Sequence, residues 1–572
     1  MLRMQVFAAV GLGLVSALAS GQKQACPRPA PGSVVTQPEE LRSHDGWLKV
    51  DLTYSNFTAA NGQEEYCYQA QDGSQAPTLR LRPGDQLVLR LKNKLTPSSA
   101  GAFPAAHHET GMQISEPCAG AEMTGLSTNL HFHGLTVPPL CRQDDVLHTA
   151  VQPGAAPFEY RMRIPPDQPP GLYWYHPHIH GFTNPQVLGG ASGAIIVEGI
   201  ERANRKLAGL HEQLFVIRDQ ELLHPDAPPV KGGLTPPVFR DAEGDILNTG
   251  TGGGKPAKDL SINFVPVPYP EYSPATILVK PAERQLWRIL NASALTYVDL
   301  QLVAGNAPQS FGVVSLDGVP INENGMTADR VLWTDHVFLP PASRVEFIFK
   351  GLAKGTQASL ITRSVDTGPA GENDPVRPLA NVIASDTAAE PQAKLAATPE
   401  PLPVNASVWL GNVKPVRTRK LYFSERPRDP ATPGSPTVFM LTEEGKAPAP
   451  FDPHATEPDI TVRQGEVEDW VIENRSTEMH TFHIHQVHFI LAQWNGAAVD
   501  EPFLRDTINV PYWKGKGTPY PNITLRMDFR DPNAVGTFLY HCHLLEHEDG
   551  GMMGSIRVLP VAGAQGTIVR EP

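Results

Sequence analysis

Five His-x-His pairs stand in the chain, at 131/133, 176/178, 178/180, 483/485 and 541/543. With 20 His among 572 residues, random placement would supply about 0.7 such pairs. On a strand, residues two apart share a face, so each pair offers two imidazoles to one ion or to two adjacent ions. Four of the pairs, two from the N-terminal part of the chain and two from the C-terminal part, are expected to converge where two domains meet. Eight neutral imidazoles suit a first-row transition metal, and the affinity order favours copper.

The pair at 541/543 encloses a cysteine, His541-Cys542-His543. Strand alternation turns Cys542 to the face opposite its neighbours, where a second site can form. His480 precedes the third pair by three residues, His547 follows Cys542 by five, and Met552 follows His547 by five. Two His, a Cys thiolate and a weak axial Met form the ligand set of a blue-copper electron-transfer site. A metal-bound thiolate also explains a cysteine without a disulfide partner. The chain itself then becomes a short covalent link between an electron-accepting ion at Cys542 and the histidine cluster held by His541 and His543.

These residues need elements to position them, and one repeated pattern identifies those elements. The runs 79–93, 277–291 and 460–474 each carry a strand-like alternation, a turn ending in an acid (Asp85, Glu283, Glu466), a second alternating run and a terminal Asn. Ten residues separate the turn start (Pro83, Pro281, Gln464) from that Asn in each copy, and the copies lie 198 and 183 residues apart. Spacings this long indicate tandem domains, each a β-sandwich of short alternating strands. A second repeat, Gly171-Leu-Tyr-Trp-Tyr-His176-Pro-His178 and Gly536-Thr-Phe-Leu-Tyr-His541-Cys-His543, occurs only in the outer two units. After Asn291 the middle unit has no candidate ligand, so it is expected to space or shape the other two. The Pro/Ala-rich stretch 388–403 reads as a linker and Gly250–Gly254 as a flexible loop.

Composition agrees with an all-β, multi-domain chain: 57 Pro, 49 Gly and 19% charged residues. The net charge of −13 argues against nucleic-acid binding, which needs a basic surface. Arg3, the apolar run Val6 to Val15 and Ala17-Leu18-Ala19 read as a secretory signal over residues 1–19. No other segment is long and apolar enough to span a bilayer. The expected location is therefore secreted or periplasmic, an oxidising compartment. Cys26, Cys67, Cys118 and Cys141 are even in number and allow three pairings. Cys118 with Cys141 would bridge a loop, and Cys26 with Cys67 would tie down the N-terminal arm. Five Asn-x-Ser/Thr sequons occur, at Asn56, Asn291, Asn405, Asn474 and Asn522. Two of these are the repeat's own terminal Asn.

The motifs His131-Phe-His133-Gly, Trp174-Tyr-His176-Pro-His178, His480-Thr-Phe-His483-Ile-His485 and His541-Cys542-His543-Leu-Leu-Glu-His547-Glu-Asp-Gly-Gly-Met552 resemble, in order and together, those of the multicopper oxidases of the laccase-like, three-domain kind. The resemblance runs from about residue 35 to 560. It implies three tandem cupredoxin-like Greek-key β-sandwich or barrel domains at 35–200, 201–395 and 396–572, the middle one without copper. It also implies four copper ions. His480, Cys542, His547 and Met552 would hold the type 1 ion, and His131 and His483 the type 2 ion. His133, His176, His178, His485, His541 and His543 would hold the type 3 pair. Thr481 stands where the family often has Pro, Gln486 where it often has Gly, and Phe132 where Trp is common. None of the three is a ligand.

By the same resemblance, electrons enter at His547, pass through Cys542 and reduce dioxygen to water at the cluster. Glu548, and Asp144 or Asp145, are the candidate proton donors. The expected partners are O2 and a small reducing substrate, and the expected state is a monomer. With 11 Met and no Met-rich insertion, the donor reads as a phenol or aromatic amine. A metal-ion oxidase acting on Cu(I), Fe(II) or Mn(II) is the alternative. A copper-free binding protein of the same fold would have gaps among the ligands, and there are none. Neither His180 nor His488 reads as a ligand: His180 is expected at the surface or beside the cluster, and His488 in the core or beside the cluster. His107 and His108 fall in an insertion, 95–128, that reads as loop.

Overall fold

The computed structural model describes residues 26–97, 116–227, 238–321, 329–391, 393–400 and 409–561. The expected signal at 1–19, and His107, His108, Met112 and Asn405, lie outside them. The described chain is almost all β, arranged as six sheets, two in each of three successive stretches of sequence. No helix among the described residues is long and apolar enough to cross a membrane.

The threefold sequence repeat has a threefold structural counterpart. The two runs of each copy do not form a hairpin; the turn between them carries the chain from one sheet of a sandwich to the other. The first run pairs in parallel with the last strand of its unit: Thr78–Leu81 with Gly193–Val197, Ala275–Val279 with Arg377–Ala384, and Ile460–Arg463 with Met553–Leu559. The second run pairs in parallel with the first long strand: Gln86–Asn93 with Trp47–Thr58, Gln285–Asn291 with His211–Gln220, and Val467–Asn474 with Arg417–Pro427. Alternation buries one face of each, as with Leu87, Leu89 and Leu91, or Trp470 and Ile472.

The repeated Asn ends the strand in the same way each time. Asn93 donates to the carbonyls of Leu126 and Val151, Asn291 to those of Thr296 and Leu339, and Asn474 to those of Glu478 and Val510. Each side-chain oxygen then accepts the N–H two residues on, at Leu95, Ser293 and Ser476. All three side chains are buried, so the sequons at Asn291 and Asn474 are by-products of this cap.

The disulfides are Cys26–Cys67 and Cys118–Cys141, and Cys542 is free and buried. Two loop expectations change. Segment 388–400 is not a free linker where it is described: Leu395 is buried, its N–H donates to the Leu210 carbonyl, and Ala393 accepts from Glu212 N. Residues 250–254 are tied to the middle unit, where Asn373 donates to the Gly253 carbonyl. Apolar contact joins the units: Leu172, Trp174 and Ile196 pack on Leu214, Val216 and Leu290.

Candidate metal centre

Strand pairing brings the histidine pairs into register. His131–His133 runs antiparallel to Gly171–His176 with His131 opposite His176. His480–Ile484 runs antiparallel to Gly536–Cys542 with His483 opposite His541 and Phe482 opposite Cys542. The first and third units then meet face to face. The ring of His131 stacks on His485 at 3.8 Å between centroids and that of His133 on His483 at 3.9 Å. The result is eight buried imidazoles from residues as much as 412 positions apart in sequence, His131 to His543.

Within this cluster the ring nitrogens include three groups, each with ligand atoms within 4.8 Å of one another: His131, His133 and His483; His133, His176 and His543; His178, His485 and His541. Hydrogen bonds fix which nitrogen is left over. His131 Nδ1 faces Asp144 at 3.1 Å, His176 Nδ1 the Pro177 carbonyl at 2.8 Å, His483 Nδ1 the Asp506 carbonyl at 2.9 Å and His541 Nδ1 the Cys542 carbonyl at 2.9 Å. The opposite nitrogens of His131, His176 and His483 are buried with no hydrogen-bond partner among the described residues, as are His133 Nδ1 and His543 Nε2. His541 Nε2 lies 3.2 Å from His485 Nε2 and 3.5 Å from His178 Nε2. Orphaned buried acceptors that converge are costly unless a cation is bound there, so the donor set fits metal ions. Burial, reinforced by the neighbouring imidazoles, lowers the basicity of seven of the eight, and His541 falls to about 3. They are therefore held in the neutral, ligating form.

The other face of the Cys542 strand carries a fourth group, His480, Cys542 and His547. His480 Nδ1 and His547 Nδ1 lie 3.1 Å apart, with Cys542 Sγ 3.7 and 3.8 Å from them. Met552 is buried, its N–H donates to the His547 carbonyl, and its own carbonyl accepts from Cys542 N. The outer nitrogens are held too: His480 Nε2 by Ser476 Oγ at 2.7 Å, His547 Nε2 by Glu478 at 3.2 Å. Burial pushes the Cys542 thiol up and His547 down to about 3. A metal ion reverses the thiol's preference outright. Thr481 hydrogen-bonds Tyr297 of the middle unit at 3.0 Å.

The candidate proton donors separate. Glu548 is buried, 3.2 Å from His541 Nδ1 and 3.5 Å from His178 Nδ1. Burial, with Asp549 adjacent, raises its carboxyl well above the usual range. Asp144 faces the cluster, but both its oxygens are committed: they meet His131 Nδ1, accept the Phe132 N–H and accept the Gln486 amide. Asp145 does not face the cluster. It bonds His148, whose side chain is 57% exposed. Successive residues in that turn point opposite ways, so only one of the Asp pair can reach His131.

His180 and His488 lie beside the cluster, outside the four groups. The His180 ring packs on His178 and Phe451, and His488 approaches Asp506 at 3.8 Å. Asp506, Arg344 and Gln486 also surround the ligands, and no spacing in the sequence distinguishes the first two. His547 and Phe439, stacked at 4.2 Å, form part of the wall of a cavity of about 210 Å³. Asp241, Glu243, Glu372, Glu425, Glu478 and Glu546 line the same cavity.

Multicopper oxidase family models match residues 123–202 and 430–562, the two stretches that carry the histidine pairs. The chain therefore carries multicopper oxidase domains in its first and third units, and enzymes of that family use copper to couple oxidation of a reducing substrate to reduction of O2. It is 23% identical to a multicopper oxidase of Staphylococcus haemolyticus, over 87% of this chain and 89% of the relative. It is 22% identical to a laccase of Bacillus subtilis, over 83% and 87%. Among solved structures it superposes on a multicopper oxidase from Campylobacter jejuni, described as a metallo-oxidase. That match has a TM-score of 0.62 at 24% identity and covers 93% of this chain and 96% of that one.

Proposed function

We propose that this protein couples four one-electron oxidations of a small reducing substrate to the four-electron reduction of dioxygen to water, and that the substrate is a cation. The observation that carries the first part is the single strand end at His541-Cys542-His543. The thiol belongs to one ligand group while the flanking imidazoles, His541 and His543, belong to two others in the histidine cluster. Copper bound here would supply the one-electron couple that collects from the donor and the multinuclear centre that delivers four electrons to dioxygen.

In this reading His480, Cys542, His547 and Met552 hold the type 1 ion. His131 and His483 hold the type 2 ion; His133, His176 and His543 hold one type 3 ion, and His178, His485 and His541 the other. His547 is the entry point, because it alone among the type 1 ligands lines the cavity. Cys542 joins the two centres through two peptide units. Glu548 holds a proton within reach of the cluster. Asp144 orients His131, with its oxygens already occupied.

The donor expected from the sequence is a phenol or aromatic amine. The cavity supports a cation instead. Six carboxylates line it, and Lys258, whose charge acts on Glu372 and Glu546, is paired with Asp245 and Glu221. Burial raises Glu478, and the carboxylate of Glu425 adds to this; Glu546 is raised to about 8. Such crowding is relieved by a cation. An oxidisable metal ion, Fe(II), Cu(I) or Mn(II), fits that chemistry, and Glu478 would bring it to His547 Nε2. Oxygen uptake tests this with the three ions against a neutral substituted phenol. A kcat/KM higher for at least one ion supports the reading, and preference for the phenol overturns the cation assignment.

A further inference from the structure

The middle unit supplies no member of the four ligand groups, yet one of its side chains ends beside them. Arg344 opens the strand Arg344–Phe349 and is completely buried. Its guanidinium touches all three units. Nε donates to the Leu172 carbonyl of the first unit at 3.2 Å, and Nη1 donates to its own unit's Ala342 carbonyl at 3.1 Å. Nη1 and Nη2 grip Asp506 of the third unit, at 2.8 Å to Oδ1 and 2.6 Å to Oδ2. A planar fork meeting a carboxylate in this way fixes the plane of the carboxylate as well as its charge.

Asp506 in turn meets two imidazoles. Its Oδ1 lies 3.2 Å from His133 Nε2, and its backbone carbonyl accepts from His483 Nδ1 at 2.9 Å. The first contact is the unusual one. His131, His176, His483 and His541 engage an oxygen through Nδ1. His133 is inverted: its Nε2 is the engaged atom, and its Nδ1 is buried without a partner among the described residues. A carboxylate at Nε2 keeps the proton there and turns the Nδ1 lone pair inward. Gly134 leaves the room for this arrangement. A Cβ on it would lie 2.5 Å from Arg344 Nη2 and 2.7 Å from Asp506 Oδ2.

We propose that Arg344 is a positioning residue for the copper centre: acting through Asp506, it sets the tautomer and orientation of His133. The middle unit is thus more than a spacer between the copper-bearing ones. It holds the side chain that locks a first-unit ligand to a third-unit strand. The proposal rests on the copper-centre reading above. Without the guanidinium, Asp506 would be a buried carboxylate with its main counter-charge gone. It would be free to rotate, and the His133 ring would lose its fixed donor–acceptor sense.

The test uses the copper-loaded full chain and compares wild type with Arg344→Gln, Arg344→Lys and Asp506→Asn. Three quantities are read: the intense blue absorption of the Cys542 site, copper per chain, and resistance of that copper to a chelator. The expected result for Arg344→Gln and Asp506→Asn is unchanged blue absorption with copper lost from the histidine cluster about 10–100-fold more readily, the usual effect of removing a partner of a metal ligand. Arg344→Lys should fall between, since it keeps the charge and loses the fork. If Arg344→Gln does not fold, Arg344→Lys and Asp506→Asn carry the test. Wild-type copper retention in every variant that folds with its blue colour overturns the proposal. A wild-type protein without blue absorption overturns instead the copper-centre reading beneath it.

Discussion

Glu548 Oε2 lies 3.2 Å from Nδ1 of His541, in a position where neither residue is exposed to solvent. Its Oε1 lies 3.5 Å from Nδ1 of His178, so one carboxyl spans two imidazoles of the same ligand group. Burial and the neighbouring Asp549 favour the protonated form, which places a transferable proton beside the cluster without a charge penalty. Glu548→Gln keeps the shape and removes the proton. It should slow dioxygen consumption by about 10²-fold or more while leaving the blue absorption intact. Unchanged turnover would remove Glu548 from the proton route.

Met552 is tied by backbone hydrogen bonds to both His547 and Cys542, two of the residues proposed to hold the type 1 ion with it. A weak axial thioether stabilises the oxidised ion relative to an apolar side chain. Met552→Leu should therefore raise the reduction potential of the blue site, read by redox titration of its absorption. A fall, or no change, would exclude Met552 as the axial group.

Gln486 follows His485 with φ of 56°, a left-handed conformation uncommon outside glycine. Its amide reaches across the first–third unit boundary to Asp144, which holds His131. Gln486→Gly accepts the backbone and loses the amide. The strain relieved, about 1–2 kcal/mol, and the hydrogen bond to a carboxylate lost, about 1.5–3 kcal/mol, nearly cancel. The thermal midpoint should move little, whereas copper at His131 and His483 should come away more readily, seen by EPR after chelator treatment. Wild-type retention would make the amide dispensable.

Asp374 supplies a pH dependence away from the metal centre. Burial raises it to about 7, with Arg377 opposing. Its unfolded value is about 3.9, so from about pH 4 to about pH 7 the folded chain holds more protons than the unfolded one. The Asp374 contribution to stability therefore falls as pH rises through that window and stays low above it. Asp374→Asn cannot titrate. Its thermal midpoint relative to wild type should rise between the acid and the alkaline end of the window, whatever its offset from the loss of the Arg377 pairing. A constant difference would contradict the assignment.

The histidine pairs and Cys542 were legible from their two-residue spacing: His131–His133 lies wholly within a strand, and the pairs beginning at His176, His483 and His541 start in a strand and run just past its end. The repeated runs were legible for a similar reason: alternation, turn and Asn recur at fixed distances. What surrounds the ligands was not. Arg344 and Asp506 are 162 positions apart, and no repeat or spacing in the sequence links them. Asp144 and Asp145 differ only in which way one turn points. The acidic cavity draws on residues 241 and 243, 372, 425, 478 and 546, which five separate segments bring together. The absence of a Met-rich insertion favours a phenol, whereas the carboxylates that favour the proposed cation assemble only on folding.

Cys542 is proposed to ligate one ion while His541 and His543 serve another centre. The most direct measurement is the visible spectrum and oxygen uptake of copper-loaded wild type beside Cys542→Ser. The prediction is an intense band at about 600 nm, typical of copper–thiolate bonding, and oxygen consumption in the wild type, with both lost in the variant. Oxygen consumption that survives in Cys542→Ser, or a wild type without the band, would contradict it.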